Sequence, residues 1–265
     1  FLDTITHLRD RTRSCSVQRD ILAVEAGATI LMGRLIWDAS QRRDHMSARS
    51  YFARAVKAAQ HIGHSTVEAL AVLRTCFVAL YGEKNLRVGL DLAHRAADLA
   101  MPTSDVLVGL AILHVAEAYA MMNQPYDCDC ALEQAREILA TTAEDDVASE
   151  LYSPANYGRL AGSCYLALER HRQAEDTLYT AATKVVITSK IHAIILGNLG
   201  LAQLAQRKID EATASIHKAI DVLEHSWGGG GLTVVFAATH RMRPWSDVPA
   251  VGEVYDRLLS LIAAK

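Results

Sequence analysis

Along this chain, small and bulky apolar residues recur at three- and four-residue spacing between polar ones, and this local pattern itself returns about every forty residues. Ala55, Ala96, Ala135, Ala181 and Ala219 follow one another at intervals of 41, 39, 46 and 38 residues. Each closes a triplet in which a small residue, a bulky residue four later and the alanine three beyond share one helix face. The triplets are Ala48, Phe52, Ala55; Gly89, Ala93, Ala96; Cys128, Leu132, Ala135; Ala174, Leu178, Ala181; and Ala212, Ile216, Ala219. The second is degenerate, with Ala93 in the bulky place. Twelve residues before the later triplets stand Phe77, Ala116, Gly162 and Gly200, three of them small. Gly33 takes that place in the first unit, where three extra residues fall in the turn from Gln41 to His45. Small residues at this offset let two antiparallel helices approach closely while the bulky residue fills the gap beside them. The pattern predicts about five helical hairpins over residues 21–225, stacked as one solenoid because each hairpin hides its apolar face only against its neighbours.

The flanks complete this picture. Residues 1–20 read as an N-terminal helix or interdomain linker. The run Gly228 to Gly231 is expected to end the last repeat helix after Trp227 and re-aim the chain, since glycine tolerates left-handed backbone. It lacks the preceding strand and the following Lys-Ser/Thr of a phosphate loop. Leu232 to Met242 and Val248 to Ala264 then read as two helices, making residues 226–265 a cap over the fifth hairpin. Composition narrows the class further: 51% of the chain is apolar but only 6% is aromatic, which suits helix-on-helix packing. With no run of alternating β-branched and polar residues, the expected fold is all-α.

The hairpins resemble the tetratricopeptide repeat. Its pattern is best matched by Ile112, Val115-Ala116 and Tyr119 with Cys128, Leu132 and Ala135, and by Leu196, Leu199-Gly200 with Ala212, Ile216 and Ala219. Ala161-Gly162 and Tyr165 with Ala174, Leu178 and Ala181 form a third match. This resemblance implies a right-handed superhelical solenoid with the first helix of each hairpin lining its concave side. Nearly the whole chain also resembles the C-terminal region of actinobacterial regulators that join a helix-turn-helix domain to tetratricopeptide-like repeats. The segments that carry this likeness include Gly33-Arg-Leu-Ile-Trp37-Asp, Phe77-Val-Ala-Leu-Tyr-Gly-Glu-Lys84, Leu151-Tyr-Ser-Pro154, Gly158-Arg-Leu-Ala-Gly-Ser-Cys-Tyr165 and Arg243-Pro-Trp-Ser-Asp-Val-Pro-Ala-Val251. It implies a sensor or oligomerisation region that reaches DNA only through a helix-turn-helix domain, and no such segment is found in this sequence.

Charge agrees with an indirect link to DNA. The formal net charge is −3, and phosphate binding needs a concentrated positive surface. The one basic stretch, Arg9, Arg11, Arg13 and Arg19, is offset by Asp10 and Asp20 and reads as a solvated helix end. Five scattered cysteines and no secretory segment point to a reduced, cytoplasmic protein. The apolar stretch Val106 to Met122 is broken by His114 and Glu117 and is too short to cross a bilayer.

Candidate chemistry is sparse. His61-Ile-Gly-His64 has helical spacing for a metal pair, but Gly63 ends the helix there and no further ligand completes a site, so it reads as a surface turn. Cys128 occupies a packing position, which argues against a thiol pair with Cys130. No nucleophile, base and orienting acid form a recognisable signature, so neither catalytic residues nor a cofactor nor a metal is expected. The repeat register instead places polar and aromatic residues on the concave side: Arg34, Trp37, Arg74, Thr75, Tyr81, His114, Glu117, Asn156, Arg159, Ser163 and Asn198. Arginine and asparagine hold carboxylates and peptide amides, and tryptophan and tyrosine offer flat apolar contact. The expected function is therefore a non-catalytic regulatory module binding a peptide or small-molecule effector. The alternative is a constitutive scaffold with no small ligand. A homodimer through the C-terminal helices is also expected, with Phe236, Tyr255 and Leu259 at the contact.

Overall fold

The computed structural model describes residues 2–40, 42–185, 189–226 and 229–264. Gln41, Trp227, Gly228 and the side chains of Arg9 and Asp10, all used in the sequence reading, lie outside what is described. Among the described residues the fold is all-α, with no strand. A first helix, α1 (Leu2–Arg11), precedes five hairpins. These pair α2 (Cys15–Ala39) with α3 (His45–Ile62), α4 (Ser65–Phe77) with α5 (Leu86–Ala100), α6 (Asp105–Met121) with α7 (Pro125–Ala140), α8 (Pro154–Ala167) with α9 (His171–Ala182), and α10 (Lys190–Ala205) with α11 (Ile209–His225). Two further helices, α12 (Gly229–Met242) and α13 (Pro249–Ala263), close the chain. The helices form two compact units: one runs through Met122 and includes Tyr126–Tyr152, and the other comprises Asn123–Pro125 and everything from Ser153 onward. The boundary expected at residue 20 falls inside α2, and that expected at 225 falls at the end of α11.

The triplet residues are buried in all five hairpins, because each sits on the face its second helix turns toward its first. The small residues opposite them are held to their size. A Cβ on Gly33 would lie 2.6 Å from the Phe52 ring, and one on Gly200 would lie 2.6 Å from Ile216 Cδ1. The second hairpin departs from this rule. Phe77 is only half-buried, and the close approach is made by Gly89 against Leu80. A π-helical turn, Val78–Gly82, extends α4 there and rotates the residues beyond it out of α register.

Among the described residues each hairpin turn holds one non-glycine residue in left-handed backbone: Arg42, Lys84, Asn123, Glu169 and Arg207, with φ of 64°, 56°, 56°, 59° and 60°. Between hairpins, α3 ends on Gly63 at φ 66°, where glycine avoids the Cβ clash. Side-chain caps start several helices. Asp44 accepts from Ser47 N at 3.0 Å, Asn85 from Val88 N at 3.3 Å and Ser104 from Leu107 N at 3.1 Å.

The start of α6 has a second anchor in Asp146, which accepts from Ser104 Oγ at 2.7 Å, Val106 N at 3.2 Å and Ala148 N at 2.8 Å. Burial raises the Asp146 carboxyl, but these hydrogen bonds outweigh it and hold the group below the ordinary carboxylate range. A depressed folded-state pKa gives stability that is present above the unfolded value and lost as pH falls through the folded one. Asp146→Ala is therefore expected to cost about 1 kcal/mol at neutral pH. Denaturant titrations of wild type and variant should differ fully above the ordinary carboxylate range and converge only as pH falls through the lowered folded-state value, below the group's ordinary 3.8.

Within the glycine run, the described residues Gly229 to Gly231 do not form the expected turn. They are buried in the first turn of α12, and a Cβ on Gly231 would lie 3.0 Å from both Ala193 and Leu223 side chains. Glycine is used here for close helix contact, not for left-handed backbone. Val235, Ala238 and Met242 of α12 and Val251, Val254 and Leu258 of α13 share one core with Ile216, Ile220 and Leu223 of α11. Arg257 ties α13 to α11 through Asp221 at 2.6 Å and Glu224 at 2.9 Å.

Candidate functional site

In the first unit, α2, α4 and α6 each bring polar residues to one cluster. Helical spacing aligns Arg34 with Asp38 on α2, Arg74 with Phe77 on α4, and His114 with Glu117 on α6. The π-turn carries Tyr81. The Tyr81 hydroxyl donates to Glu117 Oε2. His114 Nδ1 lies 2.8 Å from the same carboxylate oxygen and 2.9 Å from Tyr81 Oη. His114 and Glu117 are both buried, so their mutual hydrogen bonding offsets the desolvation of each. The Phe77 ring packs on His114 with centroids 4.4 Å apart.

Arg74 joins this network through Phe77, its guanidinium 5.1 Å from the ring centroid. Burial first, then the like charge of Arg34, lowers its pKa to about 10, with Asp38 acting in the opposite direction. The side chain stays protonated at neutral pH. Its Nε is shut off from solvent and hydrogen-bonds nothing among the described residues. A second guanidinium, Arg42, lies 5.5 Å from the Tyr81 ring centroid. This arrangement favours an anion beside Arg74 and provides aromatic faces around it.

Two residues assigned to this side by register do other work. Trp37 is buried with Ala48, Phe52 and Val78, and its ring lies 5.6 Å from that of His45. It packs the hairpin and does not present a free face. Thr75 donates its hydroxyl to Ala71 O at 2.9 Å within α4. Phe77, Asp38 and Arg42 are cluster members that register alone does not single out. Phe77 could have been found from its three-residue spacing to Arg74.

The second unit is described separately. Asn156, Arg159 and Ser163 share one face of α8, and Asn198 of α10 donates through Nδ2 to Ser163 Oγ at 3.1 Å. The Nε of Arg159 is solvent-inaccessible and has no hydrogen bond among the described residues. Of the residues expected at a dimer contact, Phe236 and Leu259 are 44% and 65% exposed. Tyr255 instead donates to Thr239 O at 2.7 Å and packs on the core of its own unit.

Cys76 is buried and donates to Gly89 O at 3.3 Å. Burial, then the Glu117 charge, pushes its thiol well above the ordinary range. Among the described residues no group of three or more His, Cys, Asp or Glu is placed to hold a metal ion. Ser65–Gly82 is long and apolar enough to cross a membrane by length and composition, but it contains Glu68 and Arg74 and packs between α3 and α5.

These hairpins define a helical-repeat protein with a tetratricopeptide-like fold. No family profile matches the chain, and no curated protein matches it either. Among solved structures it is similar to a Rap protein crystallised in complex with Competence and Sporulation Factor. The TM-score is 0.62 at 16% identity, over 97% of this chain and 69% of the other. At that identity the likeness is one of fold.

Proposed function

We propose that this chain is a regulatory, non-catalytic effector-binding module of the cytoplasm, and that its effector is a peptide whose carboxylate pairs with Arg74. The observation that carries this reading is Arg74 itself, a charged guanidinium with a solvent-inaccessible Nε that no group among the described residues satisfies, beside a second cation, Arg34. A carboxylate there would relieve the like-charge repulsion and supply the missing acceptor. Phe77 and Tyr81 give the adjoining flat surface. The tetratricopeptide-like fold and the bound factor in the Rap structure support effector binding on this scaffold. Action on DNA would pass through a helix-turn-helix domain, as the regulator resemblance implies. Calorimetry with a library of acidic peptides tests the reading. Saturable binding that weakens with salt is expected, and no binding from any acidic peptide would overturn it.

A second reading, a constitutive protein scaffold, is favoured by one observation. Val17, Val24, Leu31 and Leu35 stand 44–55% exposed on α2, at seven- and four-residue spacing along one side of the helix. Dimerisation belongs to both readings, and we place it at α12 and α13 through Phe236 and Leu259. Light scattering is expected to show a dimer that Phe236→Asp breaks without loss of helicity. A monomer near 28.9 kDa at high micromolar concentration would remove the dimer from either reading.

A further inference from the structure

The second unit contains a cleft of about 560 Å³, and no residue of the Arg74 cluster lines it. It is framed by the ends of α8 and α10, the turns that follow them and the 3-10 turn Arg243–Trp245. Leu166, Leu201 and Leu204 form an apolar wall. Buried Asn198, bonded to Ser163 Oγ, supplies a fixed polar point. Trp245 packs against the core of the unit and also lines the cleft.

The charges at this cleft are unlike their neighbours. Lys208 is paired with Glu175 at 2.6 Å and Arg257 with Asp221 and Glu224. Arg207 and Arg241 both line the cleft, both are exposed, and neither side chain has an ion pair or hydrogen bond among the described residues. His171 lines it too, and its Nδ1 is solvent-inaccessible with no hydrogen-bond partner among the described residues. Two unpaired guanidiniums, an unsatisfied imidazole nitrogen and an indole thus meet at one apolar wall.

We infer that this cleft binds a compact organic anion with a flat apolar body, of the aromatic carboxylate class. Its carboxylate would pair with Arg207 and Arg241, and its ring would lie between Trp245 and the leucines. The volume lies within the range of small-ligand sites, roughly 300–1,000 Å³. A bare phosphate would meet the cations but leave the leucine wall and the indole without a role. Since the inference uses second-unit residues only, it stands or falls separately from the peptide reading at Arg74.

The test titrates the full chain calorimetrically with 2-naphthoate, its neutral amide and inorganic phosphate. Naphthoate is expected to bind saturably, and the amide at least about tenfold more weakly. Arg207→Gln and Arg241→Gln should each lose about tenfold in naphthoate affinity at unchanged circular dichroism, both side chains being exposed. Trp245→Phe should weaken naphthoate more than it weakens phosphate. Four outcomes would overturn the inference: no naphthoate binding at millimolar ligand, equal binding of the amide, binding of phosphate alone, or indifference to both arginine substitutions.

Discussion

Gly200→Leu is expected to lower the melting temperature by several degrees and loosen the fifth hairpin. The Cβ alone would stand 2.6 Å from Ile216 Cδ1, 2.9 Å from its Cγ1 and 3.5 Å from the Ala212 carbonyl oxygen. Ile216 is fully buried, so it has no free volume into which to turn. Three further carbons must then be accommodated by separating α10 from α11. Overpacking of this kind typically costs about 1–3 kcal/mol, and in a chain of this size each kcal/mol moves the midpoint by about 2–4 °C. The loss should extend to the cap, because α12 and α13 share one core with α11. Calorimetry and circular dichroism read the effect, and an unchanged midpoint would show that α10 and α11 do not meet at Gly200.

Arg74→Gln should do the reverse, separating binding from stability. Its guanidinium makes no ion pair or hydrogen bond in the protein among the described residues, and its nearest charges include Arg34. Removing it should leave the melting temperature unchanged or raise it slightly. Affinity for the acidic peptide should fall by about tenfold to a hundredfold, the scale of a charge-assisted hydrogen bond lost from a partly buried site. Arg74→Lys should recover only part of the affinity, because an ammonium keeps the charge but not the planar fork. If the peptide binds Arg74→Gln as well as wild type, the carboxylate does not rest on Arg74. If the melting temperature falls sharply, Arg74 is a structural residue.

What the sequence makes legible follows from what each signal measures. The small-and-large triplets measure contact distance between helices, and Gly33, Gly162 and Gly200 do face Phe52, Leu178 and Ile216 in close approach. The second hairpin escapes this signal because its π-turn changes which residue points at the partner helix, making Leu80 rather than Phe77 the packing knob. Nothing in the residue types of Val78 to Gly82 announces that turn. The glycine run misleads for a related reason: glycine marks both left-handed turns and close helix contacts, and only the neighbouring helices decide between them. At the candidate site, spacing aligns Arg74 with Phe77 and His114 with Glu117, since these are intervals within one helix. It gives no measure of depth, so it cannot separate buried Trp37 from half-buried Arg74. Asp38 lies one turn beyond Arg34 on α2 and is therefore within reach of helical spacing, whereas Arg42 enters the cluster from the turn after α2, where helical periodicity has stopped.

The π-turn at Val78–Gly82 also makes residue count a functional variable. The π-turn already absorbs one residue more than an α-turn holds, and an α-helix turns about 100° per residue, so a further residue inserted between Val78 and Leu80 would go unabsorbed and swing everything beyond it by about that amount. Tyr81 would leave His114 and Glu117, and Leu80 would leave Gly89. Substitutions elsewhere in α4 alter one contact at a time. A change of length in these five residues acts as a rotary adjustment, uncoupling the candidate site and the second hairpin's closest packing in one genetic step.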